Sequence, residues 1–172
     1  MKTITPTNNE LVMDRDDFIV SKTDLKGRIT YCNEIFIKYA GLDELELLGK
    51  QHSIIRHPDM PRVIFKLLWD RVKEQKEIFA YVKNLSADGS YYWVYANVTA
   101  SLDERNKTIG YYSVRRKPNT KNLDLIIELY KTLLQEEKNG GIEASSNYLT
   151  KLLQDKDLSY DEFINNLQNG SL

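Results

Sequence analysis

A single cysteine, Cys32, in 172 residues leaves no partner for an internal disulfide and no thiolate cluster for a metal. This scarcity fits a reducing compartment, and a cytoplasmic location is expected. Long apolar runs are also missing. The opening MKTITPTNNELVMDRDD lacks the hydrophobic core of a signal peptide, and no later segment approaches the ~20 apolar residues of a membrane-spanning helix. No direct membrane insertion is expected, so any peripheral association with the inner membrane runs through a partner. Nor does charge of one sign dominate: 24 basic and 25 acidic residues give a formal net charge of -1. No global field therefore points to nucleic acid or an anionic membrane. Neither a nucleophile–base set nor a phosphate-binding glycine loop is present, and no enzyme is expected.

What is present reads as one sheet-forming domain with appendages. Residues 1–16 form an N-terminal segment, 17–118 the main domain and 119–172 a helical C-terminal extension. DFIVSKT (Asp17–Thr23) and RITYC (Arg28–Cys32) are strand-like runs around the turn Asp24–Gly27. Residues 33–48 then change to helical spacing, with Gly41 as a stop and Asp43 as a cap for a second short helix. Arg62–Lys76 places Ile64, Phe65, Leu68, Trp69 and Val72 on one helical face, and Pro61 suits the first helical position. Ile78–Leu85, Tyr91–Ala100 and Thr108–Arg115 are β-rich. Two strands, short helices, one longer helix and three strands predict an α+β class: a five-stranded antiparallel sheet with helices on one face that can enclose a pocket.

Beyond Pro118 an apolar stripe of Leu123, Ile126, Ile127, Tyr130, Leu133 and Leu134 predicts a helix stopped by Asn139-Gly140-Gly141. A second helical stretch runs through Leu153. Ser159 with Glu162 predicts a capping box for a last helix. This amphipathic tail either covers its own domain or pairs with a partner, a second copy included in a homodimer.

Both histidines, an arginine and two prolines gather in QHSIIRHPDMP, residues 51–61. One reading is a loop leading into the next helix, with Asp59 capping the helix begun at Pro61 and Arg56 solvated. A metal site from His52, His57 and Asp59 is poorly supported, because histidines five apart do not share a helical face.

Phe18 to Pro118 resembles a PAS sensor domain, most like the flavin-binding PAS domains of Aer-type aerotaxis and redox-sensing proteins. The resemblance rests on TDLKGRITYCNEIF, LLGKQHSIIRHPDMP, LLWDRV, VKNLSADGSYYWVYANV and GYYSVRRKP. The five-stranded PAS fold is what it implies. The short chain further resembles the stand-alone PAS subunit of bipartite (CetB-type) energy-taxis receptors, which implies a separate membrane-bound chemotaxis transducer as partner.

The resemblance implies FAD as cofactor. Arg56 can hold phosphate oxygens in a forked geometry, His57 can donate to them, and Asp59 can orient either or meet a ribose hydroxyl. Pro58 and Pro61 restrict the loop that presents them. Trp69 matches a tryptophan linked to flavin binding, or is a core aromatic. Asn84 matches an asparagine that offers donor and acceptor to a flavin edge, or faces the surface. Asn33 either caps the next helix, the stronger structural expectation, or points inward. Phe79 stands where the family often has tryptophan. His52, like His57, is a candidate axial ligand if a heme takes the place of FAD. Cys32, at a strand end, is a structural thiol rather than a photoreactive one. A cofactor-free interaction or dimerisation module is the rival from a different class.

Overall fold

The computed structural model describes residues 4–171; residues 1–3, in the expected N-terminal segment, and Leu172, in the tail, lie outside the described residues. Strand β1 (Ile19–Thr23) pairs antiparallel with β2 (Ile29–Cys32) across a turn in which Asp24 Oδ1 accepts from the amides of Lys26 and Arg28. Helix α1 (Glu34–Ala40) starts at Asn33, whose Oδ1 accepts from the Phe36 amide, and stops at left-handed Gly41. Helix α2 (Glu44–Leu47) is set by a capping box between Asp43 and Glu46. A short 3-10 turn, His52–Ile55, leads through the RHPDMP stretch into α3 (Arg62–Lys73). That helix ends three residues earlier than its apolar spacing predicts, and Gln75 takes a left-handed φ of 60° just beyond it.

Strands β3 (Ile78–Leu85), β4 (Tyr91–Leu102) and β5 (Thr108–Arg116) complete an antiparallel sheet of order β2-β1-β5-β4-β3. This is the expected α+β, five-stranded PAS architecture. Register decides what each face presents, because side chains alternate along a strand. Ser21 pairs with Ser113, which pairs with Val98; Ile19 pairs with Arg115, which pairs with Ala96, which pairs with Ala80. All of these point to the face covered by α1 and α3.

The opposite face carries Tyr81, Trp93 and Tyr95, and the tail covers it. Helix α4 (Leu123–Asp155) breaks at Gly140 and Gly141, whose backbone angles are not helical, as the Asn-Gly-Gly signal predicts. Helix α5 (Tyr160–Asn169) begins with the expected Ser159–Glu162 capping box. Ile126 and Leu133 of α4 and Ile164 and Leu167 of α5 are at most 1% exposed, and burying each such side chain contributes roughly 1.5–3 kcal/mol relative to exposure. Tyrosines fix the docking geometry. The Tyr130 hydroxyl donates to the Tyr81 carbonyl at 2.7 Å, Tyr81 donates to Gln168 Oε1 at 3.0 Å, and Tyr95 donates to Asn165 Oδ1 at 2.9 Å. The tail thus packs on its own sheet. No helix among the described residues is long and apolar enough to cross a membrane.

Candidate ligand-binding site

A cavity of about 170 Å³ lies between the inner sheet face, α3 and the 3-10 turn. Its apolar walls are Phe65, Leu68, Trp69 and Val72 of α3 facing Val82, Ala96, Val98 and Tyr111 of the sheet. The α3 residues recur at helical spacing and the strand residues alternate, so both walls follow from local periodicity. Trp69 meets Tyr111 edge-on at 5.2 Å, and a side chain at Gly27, which has φ +76°, would press on the indole at 3.2 Å.

The polar lining is basic. It includes Arg56, His52 and Arg115 with Ser21, Ser53, Ser113, Gln51 and Asn84, and no aspartate or glutamate. Arg56 sits at the exposed rim with its guanidinium 3.6 Å over the Phe65 ring centre. Asn84 is 4% exposed, and its Nδ2 has no hydrogen-bond partner among the described residues. An amide with an unmet donor in a cavity wall suits a ligand acceptor. Deeper, Arg115 is 3% exposed. Its Nε donates to Ser113 Oγ at 3.0 Å, its Nη2 donates to Ser21 Oγ at 2.6 Å and His52 Nε2 at 2.5 Å, and its Nη1 is buried without a partner. Burial brings the Arg115 pKa down to about 10, which leaves it charged at neutral pH. Burial, then the neighbouring Arg115 charge, holds His52 well below its ordinary value. The imidazole is therefore a neutral acceptor, stacked on Phe36 at 5.6 Å.

The predicted site residues divide. His52, Arg56, Trp69 and Asn84 come together around the cavity. His57 and Asp59 do not line it. RHPDMP runs along the free edge of β3, where Arg56 bridges Asn84 through the backbone and the His57 amide donates to the Lys83 carbonyl at 3.4 Å. That alignment turns successive side chains to opposite sides. Arg56 reaches the cavity mouth, while Asp59 pairs with Lys83 Nζ at 2.6 Å and donates its amide to His57 Nδ1 at 3.1 Å. Burial first, then the Lys83 charge, lowers the His57 pKa. Asp59 does not cap α3 either, since that role falls to Glu137 of α4, whose Oε1 accepts from the Val63 amide at 2.9 Å. Asn33 is spent on structure: its Oδ1 accepts from the Phe36 and Val20 amides and its Nδ2 donates to the Phe18 carbonyl. Phe79 lies on the outer face, stacked on Tyr95 at 5.4 Å. Cys32 is buried at the end of β2, where desolvation raises its pKa, and it is not in the cavity lining.

Ser21, Ser113 and Arg115 are the polar cavity-lining residues that motif reading missed. The signal was present in the strand alternation: Tyr111, Ser113 and Arg115 share one phase of β5, so an inward arginine follows once Tyr111 is taken as core.

Comparison with known proteins gives consistent relatives. The family described as the PAS fold matches residues 29–115. The aerotaxis receptor of Escherichia coli K12 is 36% identical over 118 residues, which cover 69% of this chain and 23% of the receptor. The nitrogen fixation regulatory protein of Klebsiella pneumoniae is 23% identical over 105 residues, 61% of this chain and 21% of that protein. The chain therefore spans under a quarter of the length of these relatives. Among solved structures, a Colwellia psychrerythraea PAS domain superposes with TM-score 0.54 at 19% identity, covering 58% of this chain and 85% of that one. The dark-state LOV domain of the blue-light photoreceptor Aureochrome1 gives TM-score 0.55 at 20% identity, covering 65% and 82%.

Proposed function

This chain belongs to the PAS fold family, and on that premise we propose that it is a redox sensor that holds FAD in its cavity and passes the flavin's state to a chemotaxis transducer. The observation that carries the reading is the Asn84 amide: a buried, unpaired donor set in the wall of a slot faced by Trp69 and Phe65. Apolar walls with a few placed polar groups are what a flat heteroaromatic ring needs. Arg56 at the rim suits the pyrophosphate, since a guanidinium binds phosphate oxygens in a fork. Similarity to an aerotaxis receptor supports the signalling role.

A bound flavin supplies reversible redox chemistry in which reduction changes protonation and charge along the ring edge. Asn84 presents either a donor or an acceptor by turning its amide, so it can follow that change. His57 and Asp59 act at one remove, holding the loop on the β3 edge and thereby placing Arg56. Output has a physical route. Glu137 and Asp161 of the tail grip Arg62 and Arg71 of α3 at 3.2 and 3.1 Å, and the same tail is hydrogen-bonded to the outer sheet face. A shift of α3 or β3 against the ligand therefore biases the tail, where a transducer docks. His52 offers heme poor ligation, because its Nε2 already accepts from Arg115.

The test is the visible spectrum of gently purified protein, followed by identification of the released chromophore. Flavin bands with FAD in the supernatant are expected. Colourless protein that takes up no added FAD would overturn the reading in favour of a cofactor-free interaction module.

A further inference from the structure

The RHPDMP stretch carries a histidine whose protonation state its own backbone dictates. His57 Nδ1 accepts from the Asp59 amide at 3.1 Å, so that nitrogen carries no hydrogen and the ring proton sits on Nε2. Nε2 is buried and has no hydrogen-bond partner among the described residues. The side chain is 4% exposed. Groups of both signs surround it. Its own loop supplies the Asp59 carboxylate, 3.4 Å from Nδ1 but paired with Lys83 Nζ at 2.6 Å. Strand β3 supplies Lys83 itself, and β4 the Tyr91 ring, edge-on at 6.0 Å with Lys83 Nζ 4.3 Å over it. Glu10 of the N-terminal segment lies beyond, against the Tyr91 phenol.

A second proton has one place to go on this ring, and that is Nδ1. There it sets a donor against the Asp59 amide donor, so the bond that closes the turn is lost. The cation would then be buried with its Nε2 hydrogen unmet, while the carboxylate within reach is already held by Lys83. A buried charge without its own partner is strongly disfavoured, and burial, then the Lys83 charge, already keep the ring neutral. Little holds the loop against a change of place. Ile55 and Met60, 1% and 3% exposed, anchor its two ends. Between them the ties to β3 are the His57 amide to the Lys83 carbonyl at 3.4 Å and the isolated Arg56–Asn84 bridge. A form that leaves the edge takes up a proton more readily than the form that stays, so acid favours release.

We propose that His57 is an acid-operated latch: a solvent proton taken up at Nδ1 frees the Asp59 amide, draws the Asp59 carboxylate from Lys83, and releases residues 56–59 from the β3 edge, lifting Arg56 from the cavity mouth. At neutral pH the Arg56 guanidinium lies 3.6 Å over the Phe65 ring centre, so the latch acts on the rim of the site through one cation. It rests on that placement and not on the flavin reading, and it operates below the ordinary histidine pKa of about 6.5.

The experiment is an NMR titration of the ligand-free full chain from pH 7.5 to 5.0. It follows the His57 ring carbons, the amides of Arg56, His57, Asp59 and Asn84, and the Arg56 side chain, whose resonances carry the ring-current shift of Phe65. One transition shared by all of them is expected, with a midpoint below about 6.5 and loss of the Arg56 ring-current shift on its acid side. His57→Gln, whose side-chain oxygen can still accept from the Asp59 amide but takes up no proton, should hold the neutral-pH pattern throughout. Asp59→Asn, which removes the carboxylate that receives the charged ring, should move the midpoint to lower pH. A transition that survives in His57→Gln would overturn the proposal, as would a ring that titrates while the Arg56 side chain stays over Phe65, or one that stays neutral until the whole chain unfolds. If His57→Gln fails to fold, the wild-type titration and the Asp59→Asn shift decide. Added FAD separates the latch from the flavin reading. A chain that binds none at pH 7.5 overturns that reading and leaves the latch to the Arg56 resonances, whereas an Arg56 side chain fixed across the titration overturns the latch alone.

Discussion

Glu137 caps a helix that begins far earlier in the chain: its Oε1 accepts from the Val63 amide at 2.9 Å and its Oε2 from Arg62 Nε at 3.2 Å. Helix α3 follows Pro61, which has no side chain with which to cap it. The carboxylate that does so is 6% exposed and belongs to the tail. One residue therefore joins the element that walls the cavity to the element that covers the far side of the sheet.

Removing that carboxylate should loosen both. Glu137→Ala is expected to cost about 1–2 kcal/mol, the range for losing a helix cap, and Glu137→Gln, which can still accept from Val63, should cost less. Urea unfolding checks this. Equal stability of Glu137→Ala and wild type would mean the cap contributes nothing.

Asn84 should separate binding from folding. Without ligand its Nδ2 is buried and unsatisfied, a state that costs about 1–3 kcal/mol, so Asn84→Ala should leave the ligand-free chain as stable as wild type or more so. The same change should weaken FAD binding roughly tenfold, the equivalent of about 1.4 kcal/mol. Isothermal titration and thermal melts on ligand-free protein supply the two readings. Unchanged affinity would remove Asn84 from the site.

Acid should destabilise the fold in two stages. His52 and His57 both have folded-state pKa values below the ordinary 6.5, each chiefly through burial. The unfolded chain thus takes up protons on falling below pH 6.5 while the folded chain does not, and stability drops as pH falls. Above that pH the two states match and the histidines add no slope. A later loss comes from Asp17, Asp88, Glu74 and Glu162, whose hydrogen bonds hold their pKa values below the usual carboxylate range. Unfolding free energy measured from pH 7.5 to 5.0 in His57→Gln should show a shallower slope than wild type. An identical slope would exclude His57 from the linkage.

Redox state should be visible outside the cavity. With FAD bound, amide exchange of β3–β5, α4 and α5 is expected to differ between oxidised and reduced protein, because α3 and the outer sheet face are both tied to the tail. Identical exchange in the two states would eliminate this output route.

Elements whose cause is local were readable in advance. Helix α1 between Asn33 and Gly41, the Asp43 and Ser159 capping boxes, the break at Gly140-Gly141 and the strand runs each depend on residues within a few positions of one another. Trp69 and Asn84 followed from motif resemblance, and the structure places both in the cavity wall. His57, Asp59, Asn33 and Phe79 followed from the same resemblance, yet their side chains point elsewhere. A motif states which residues are near in sequence; strand phase states which side of the sheet they see.

By itself the sequence determined the order and type of the elements, the exclusion of an internal disulfide by a lone cysteine and the kinship of the first two thirds of the chain. Periodicity, capping and composition act over a few residues, so they survive without a fold. Only tertiary structure decided that the tail lies on its own sheet, that Glu137 caps α3, and that Arg115, Ser21 and His52 meet at the end of one cavity. Those partners are 63 and 94 residues apart for Arg115 alone, and it is the register of β1 against β5, together with the packing of the 3-10 turn on them, that brings them within hydrogen-bond reach.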